Sequence, residues 1–332
     1  MNKPAGWITV AHSDNTYEQR TNQCLLSNLK QQNLGGGSKA DFLKPLHRID
    51  QPCTGAVIYA KNGKAATRVS NAWKKGQVHK EYYCIVEGIP HMSLKQTLMN
   101  SCTLVRWSND DTNNKSTKSL FGKNDEWNGK DRFLISGFIR KARNRNYNNN
   151  NIKNRRSTSR SMEVKALPSL SPSEVQYKDL AALMKQIDSS SSSSSSSRNN
   201  IKNDKSDSRI CHMEIRPLLS VSSSAAGGAG RTKEKKEYHL LAVRTFTGAK
   251  HQVRALLSGI AKLPIAGDLR YGAKTNLPDK SVALHARKLY LPTVKLGDMD
   301  FLADEPFVAP IPNEWKTFFG MTEPMINHVE SK

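Results

Sequence analysis

Apolar positions gather in two stretches, 45–88 and 238–319, separated by a long polar stretch. In the first, Gly55–Lys61 (GAVIYAK) is a short, nearly unbroken apolar run, which predicts a strand. Lys64–Lys75 spaces Ala65, Val69, Ala72 and Trp73 along one side, with Gly76 just beyond, and predicts an amphipathic helix. Tyr82–Glu87 is a second strand, stopped by Gly88. The later stretch predicts a strand at Tyr238–Arg244, a helix at Lys250–Leu257, strands at Ser281–Ala286 and Lys288–Leu291, and a short helix at Asn313–Phe319. The order is not a regular βαβ series, and neither GxGxxG nor GxxxxGK[ST] occurs, so the pattern is α+β without a phosphate loop.

The polar stretch differs in kind. Residues 141–160 hold seven Asn and seven Lys or Arg, and 189–197 are nine consecutive serines. Such segments bury too little apolar surface to offset the entropy of ordering them, so Ser189–Ser197 is expected to lack persistent secondary structure. Two islands, DRFLISGFI (131–139) and CHMEIRPLLSV (211–221), are candidates for strands added to the core sheet. The chain of 332 residues is about two domains' worth by length, but only 37% of it is hydrophobic. These features predict one catalytic domain from 1–102 and 236–320, an Asn/Ser-rich, largely disordered insertion with short strands at 103–235, and a tail at 321–332.

Charge narrows the partners. Lys and Arg total 51 against 29 Asp and Glu, a net +22. The middle stretch carries 25 against 13 (25 − 13 = +12), leaving 22 − 12 = +10 for the rest, so a folded face shares the excess. A chain this basic seeks a polyanion. No run approaches eighteen apolar residues, which argues against a membrane-spanning helix. Five scattered cysteines form no CxxC pair, so neither a zinc knuckle nor a disulfide framework is expected, and a reducing compartment is the default. Residues 141–160 fit two readings, a neutral loop expansion and a basic arm that gathers nucleic acid.

Candidate chemistry centres on PLHRIDQPCTG, 45–55. Asp50 follows Arg48 by two and leads into the first strand. On local residues alone it fits a turn or capping carboxylate as well as a catalytic one. His47 fits a structural histidine, and Arg48 a surface cation or an ion-pair partner. A later stretch, Thr247-Gly248-Ala249-Lys250-His251-Gln252-Val253-Arg254, and Gly267-Asp268-Leu269-Arg270-Tyr271-Gly272 after it, are rich in polar groups but ambiguous singly.

Together these motifs resemble the RluA-type family of RNA pseudouridine synthases. His47-Arg48-Ile49-Asp50 with Cys53-Thr54-Gly55 is similar to the family's HRLDxxTSG loop, and Lys80-Glu81-Tyr82 to its lysine–spacer–tyrosine element. Residues 247–254 are similar to TGRxHQxR and 267–272 to GDxxYG. VALHARKLYLP (282–292) and APIPNEW (309–315) resemble the closing strands and last helix, and Lys3-Pro4-Ala5-Gly6 the opening turn. The order of the motifs is the family's, and they span the chain apart from the middle stretch. On this reading the chain lacks the strand that members carry ahead of that turn, which leaves room for a lost targeting segment, and no N-terminal S4-like domain is expected. Ala249 stands where the family has Arg, and Gly55 follows Thr54 with no intervening Ser.

The resemblance implies a pseudouridine synthase fold with a mixed, mainly antiparallel sheet, and an isomerase that needs no cofactor and no metal. It makes Asp50 the catalytic carboxylate, Arg254 the guanidinium that orients it, and Tyr82 the ring that packs on the target base. It assigns Arg48 to the space left by a flipped nucleotide, with His47, Lys80, Lys250, His251 and Gln252 as further RNA-binding candidates. The implied partner is RNA, with rRNA or precursor ribosomal particles ahead of tRNA and no membrane. The implied compartment is the mitochondrion, with cytoplasm or nucleus as alternatives. A rival from another class is an RNA-binding ribosome-assembly factor that keeps the fold with little or no turnover.

Overall fold

The computed structural model describes residues 1–10, 23–34, 42–106, 127, 129–141, 162–166, 174–176, 180–193, 209–224, 235–292, 294–296, 299–301 and 305–331. In chain order the elements begin with β1 (Asn2–Lys3), α1 (Leu25–Gln31), β2 (Lys44–Pro45), β3 (Thr54–Ala56), β4 (Tyr59–Ala60), α2 (Gly63–Lys74), β5 (His79–Glu87) and α3 (Leu94–Ser101). Next come β6 (Thr103–Arg106), β7 (Arg132–Lys141), β8 (Met162–Ala166), β9 (Glu174–Gln176), α4 (Leu180–Ser193), β10 (Arg209–Ser224) and β11 (Lys235–Thr245). The chain ends with α5 (Gln252–Leu256), β12 (Leu284–Tyr290), β13 (Val294–Leu296), β14 (Met299–Phe301), β15 (Phe307–Val308), α6 (Glu314–Phe319) and α7 (Glu323–Glu330).

Among the described residues, eleven strands form one sheet in the order β1-β3-β12-β5-β11-β10-β7-β6-β9, with β15 on β12 and β8 on β7. The β3–β12 and β6–β9 pairs are parallel and the others antiparallel. This is the mixed, mainly antiparallel α+β architecture that the motif order implied. The expected strand at 55–61 is divided into β3, in the main sheet, and β4, which pairs with β2. The two late strands are one, β12, with a register shift between Ala286 and Lys288. The helix expected at 250–257 is α5, which runs on as a π-helical turn at Leu257–Ala261.

The two islands of the stretch 103–235 are β7 and β10, added to the core sheet as expected, but the stretch departs from expectation in how many further strands join them. Five strands of the main sheet, β6 to β10, lie within it, and β10 is 16 residues long. The main sheet therefore continues well past residue 102. The serine run departs as well: α4 includes Ser189–Ser193, whereas Ser194–Ser197 lie outside the described residues. Upstream packing explains this. Leu183 and Met184 pack against the Val105–Leu134 cluster, and Asp188 meets His212 at 3.2 Å. Tertiary burial of one helix face outweighs the mediocre helix propensity of serine. Of the basic tract 141–160, only Lys141, the last residue of β7, is described.

Alternation along the central strands gives the sheet two faces. Lys80, Tyr82 and Thr245 line a cleft on one face. Their neighbours Glu81 and Arg244 lie on the other, fully buried and paired at 2.8 Å. Arg132 and Glu214 pair nearby at 3.1 Å, and the Trp127 ring lies 4.1, 5.2 and 5.7 Å from the guanidiniums of Arg244, Arg216 and Arg132. At the far end of the sheet, Trp315 and Phe319 of α6 and Ile326 and Val329 of α7 enter the main core.

One close approach fixes the entry to the cleft. Gly55 has φ +122°, and a Cβ there would lie 2.4 Å from the backbone N and O of Ala286 on β12. Only glycine allows β3 to pack this tightly at that backbone angle. Gly55→Ala is expected to lower the unfolding free energy by about 2–4 kcal/mol, read from urea titration. An unchanged midpoint would show that the contact relaxes freely.

Candidate active site

Three loops converge at the ends of β3, β5 and β11. The first, 46–53, leads from β2 to β3 and carries Asp50. Its position is set from the N-terminal turn. Lys3, fully buried, donates from Nζ to the carbonyls of Pro4 (2.8 Å), Trp7 (2.7 Å) and Gln51 (3.1 Å). Gly6 N–H also donates to the Gln51 carbonyl at 2.9 Å, and Gln51 Nε2 donates to the Gly6 carbonyl at 3.0 Å. The residue after Asp50 is thus tied by its backbone and its side chain. Burial lowers the Lys3 pKa to about 8, opposed by the nearby Cys53 and Asp50.

The second loop, 246–251, joins β11 to α5. Gln252 organises it: Oε1 accepts from Thr247 Oγ1 (2.9 Å) and from Ala249 N–H (3.1 Å), while Nε2 donates to the His212 carbonyl on β10 (3.0 Å). His251 takes a left-handed backbone, φ 56°, and ends the loop. The third loop, 266–272, follows the π-helical turn and supplies Asp268 and Tyr271.

Arg254 joins the loops. It is nearly fully buried, with a side chain 4% exposed. Its Nε and one terminal nitrogen donate to the two oxygens of Asp268, at 2.7 and 2.8 Å, and the other terminal nitrogen donates to Asp50 Oδ2 at 3.0 Å. Burial opposes the charged guanidinium. The Asp268 hydrogen bonds and the surrounding negative charge outweigh it, so the Arg254 pKa is raised. The fork geometry of guanidinium suits this bidentate clamp, which lysine could not reproduce. The side chain of Asp50 is 27% exposed, so the carboxylate is anchored at its back and open at its front.

Asp50 stands between two cavities. One, about 370 Å³, is the cleft on the sheet face, lined by Tyr82, Lys80, Thr54, Leu284 and the 247–254 segment. The other, about 630 Å³, is lined by Thr9, Lys250, Asp268, Arg270 and Lys280. Arg48, Asp50, Lys250, His251 and Arg254 line both. Arg48 itself is exposed. The first cavity pairs an apolar floor and an aromatic ring with polar walls, which suits a flat heterocycle joined to a sugar. The cations of the second suit a flanking phosphodiester.

The sequence-predicted residues separate by environment. Asp50, Tyr82, Arg254, Arg48, Lys80, Lys250, His251 and Gln252 all line the first cavity. Gln252, 4% exposed, has both ends of its amide engaged by the loop and by β10. His251, 9% exposed, faces Tyr271 and Asp50. His47 does not line either cavity: its Nε2 accepts from Ile58 N–H at 3.2 Å, and its ring stacks on Trp73 at 5.1 Å. Lys80 Nζ lies 5.4 Å from the same indole. Cys53 is buried, and burial pushes its thiol pKa up, which makes it a poor nucleophile. Sequence reasoning missed the role of Asp268. Its motif was visible, but a clamp on a side chain 14 residues upstream depends on a turn that spacing does not reveal.

A family model described as RNA pseudouridylate synthase matches residues 1–259, and the chain belongs to that family. Over 90 residues it is 38% identical to "Pseudouridylate synthase RPUSD4, mitochondrial" of Xenopus tropicalis, covering 27% of this chain and 26% of that protein. Over 100 residues it is 32% identical to "Ribosomal large subunit pseudouridine synthase C" of Rickettsia conorii, covering 30% of each. These matches span less than a third of either relative's length. The solved structure of "Human RNA Pseudouridylate Synthase Domain Containing 4" superposes with TM-score 0.50 at 18% identity, covering 99% of this chain and 88% of that one, and shows the same fold.

Three imidazoles, His251 and His285 buried and His47 half-buried, make the site region acid-sensitive. Burial lowers the pKa of His47 to about 3 and those of His251 and His285 to about 4, from an ordinary 6.5. Between pH 6.5 and 4 the unfolded chain binds protons at these positions that the folded chain does not. Stability therefore falls as pH drops through that window, each such site adding at most about 1.4 kcal/mol per pH unit. The urea midpoint is expected to decline steadily below pH 6.5, and a flat profile down to about pH 4.5 would contradict this.

Proposed function

We propose that this chain isomerises uridine to pseudouridine in structured RNA, with Asp50 as the catalytic carboxylate. The observation that carries the reading is the Asp50–Arg254–Asp268 array at the edge of the Tyr82 cleft, in a chain of this family. Isomerisation breaks the C1′–N1 bond, turns the uracil, forms C1′–C5, and moves a proton from C5 to solvent while N1 gains one. A positioned carboxylate serves either route to this, by attack on the sugar or by removal of a sugar proton. Arg254 fixes its orientation, and Tyr82 packs on the base. A stacked uridine must first be extracted, at a cost of a few kcal/mol, and exposed Arg48 is suited to fill the space it leaves. Lys80 and Lys250 hold adjacent phosphates.

The substrate we infer is ribosomal RNA, and the compartment the mitochondrion. The names of the amphibian and rickettsial relatives support these readings, and the net charge of +22 supports a polyanionic partner. We assign the catalytic unit to 1–102 and 236–320 together with the sheet strands between them and with α7, whose Ile326 and Val329 enter the main core where a tail was expected.

The test is release of tritium from C5-tritiated ribosomal RNA transcripts, scored beside gel-shift affinity. Asp50→Asn is nearly isosteric but can neither attack nor accept the proton. It is expected to lower the rate by at least about 10⁴-fold while leaving RNA affinity within a few-fold. Near-parental release by this variant would falsify the role given to Asp50.

A further inference from the structure

Arg254 accounts for one side of the Asp50 carboxylate. On another side stand three groups in line. Met162 N–H, the first amide of β8, lies 2.8 Å from Tyr271 Oη. Tyr271 Oη lies 3.0 Å from His251 Nδ1, and His251 Nε2 lies 3.7 Å from Asp50 Oδ2. The two rings meet edge to face at 5.9 Å, and the Arg254 guanidinium lies 5.1 Å from the Tyr271 ring.

One assignment of the hydrogens runs through the whole row. A backbone N–H can only donate, so Tyr271 Oη accepts from Met162 and keeps its own hydrogen to give. That hydrogen is available to His251 Nδ1, 3.0 Å away, and when it is given there Nδ1 accepts. In a neutral imidazole the remaining proton sits on Nε2, the nitrogen that faces Asp50. Burial keeps the ring neutral well below pH 7, with a pKa of about 4, although Asp50 pulls the other way; Arg254, Lys250 and Arg270 add to the lowering. At 3.7 Å the Nε2–Oδ2 contact is longer than a hydrogen bond. It is an oriented dipole aimed at the same oxygen that Arg254 holds at 3.0 Å. Among the described residues nothing donates to Oδ1, so the two contacts turn one oxygen toward the protein and leave the other for the substrate.

We propose that Met162, Tyr271 and His251 form a positioning relay that sets the rotation of the Asp50 carboxylate. The proposal rests on the catalytic reading of Asp50 given above and adds a second support to it. It also gives the β7–β8 pair a part in the site. Lys141 pairs with Met162, and in the sequence the basic residues from Arg143 to Arg160 separate the two. His251, an RNA-contact candidate by motif, becomes a positioning residue that reaches the reaction through Asp50.

Two readouts test the relay. The first needs no substrate: long-range proton–nitrogen correlation of the imidazoles in the full chain. His251 is expected as the Nε2–H tautomer at pH 7, still neutral at about pH 5.5, and as a tautomer mixture in Tyr271→Phe. A parental Nδ1–H tautomer, or titration near pH 6.5, would overturn the proposal. The second is a split of kinetic constants in the tritium-release assay. Tyr271→Phe and His251→Asn, the latter tolerant of the left-handed backbone, are expected to lower kcat by about 5- and 10-fold with KM within about 2-fold. His251→Gln, which restores an N–H at the Nε2 position, should recover most of that loss. Parental kcat in Tyr271→Phe and His251→Asn, or equal loss in the Gln and Asn variants, would also overturn it. If the parent released no tritium from any RNA, the function proposed in the preceding section would fail, and the tautomer measurement would still decide the relay.

Discussion

A guanidinium buried at the meeting point of three loops needs negative partners, and how Arg254 finds them determines the rest of the site. Asp268 takes two of its nitrogens and Asp50 takes the third, with all contacts between 2.7 and 3.0 Å. The two carboxylates have different roles because their exposure differs: the side chain of Asp268 is 1% exposed and that of Asp50 27%. The buried one neutralises and orients the cation. The open one is held by the cation and faces the cleft. Removing the inner partner would leave a buried charge poorly compensated, a more costly defect than the pair itself is a gain.

The sheet supplies the geometry that this arrangement requires. β5 and β11 present Tyr82, Lys80 and Thr245 to the cleft. β10 fixes the loop after β11 through the backbone of His212, which accepts from Gln252 and donates to Thr247. The strand that looked like an island in a low-complexity stretch therefore supports the loop that carries His251. Lys3 gives the corresponding support from the other side, with three carbonyls on one ammonium and Gln51 among them.

How far this was legible in the sequence differs from residue to residue. Asp50, Tyr82 and Arg254 were marked by ordered motifs, and the α+β class by irregular alternation of helix and strand patterns. β10, expected at 211–221, runs from Arg209 to Ser224; its buried Glu214 and Arg216 sit beside Arg132 and Trp127, a charged cluster that the period-two pattern does not announce. Buried charge breaks the period-two signal on which strand recognition rests. The ordered start of the serine run was hidden for the opposite reason: its helix is held by Leu183, Met184 and Ile187 upstream, not by its own composition. His47 and Asp268 show the limit of motif reading. Membership of a motif places a residue near the site, and only its partners say whether it faces substrate or scaffold.

The central claim is that Asp268, Arg254 and Asp50 act as one unit, with Asp268 reaching the reaction solely through Arg254. A double-mutant cycle on tritium release tests this most directly, using Asp268→Asn, Arg254→Gln and the two combined. If the unit is real, each single variant loses about 10²-fold or more in kcat and the pair is no worse than the poorer single, because the second change removes nothing further. Losses that multiply in the double variant would contradict the account and show that the two residues serve the reaction separately.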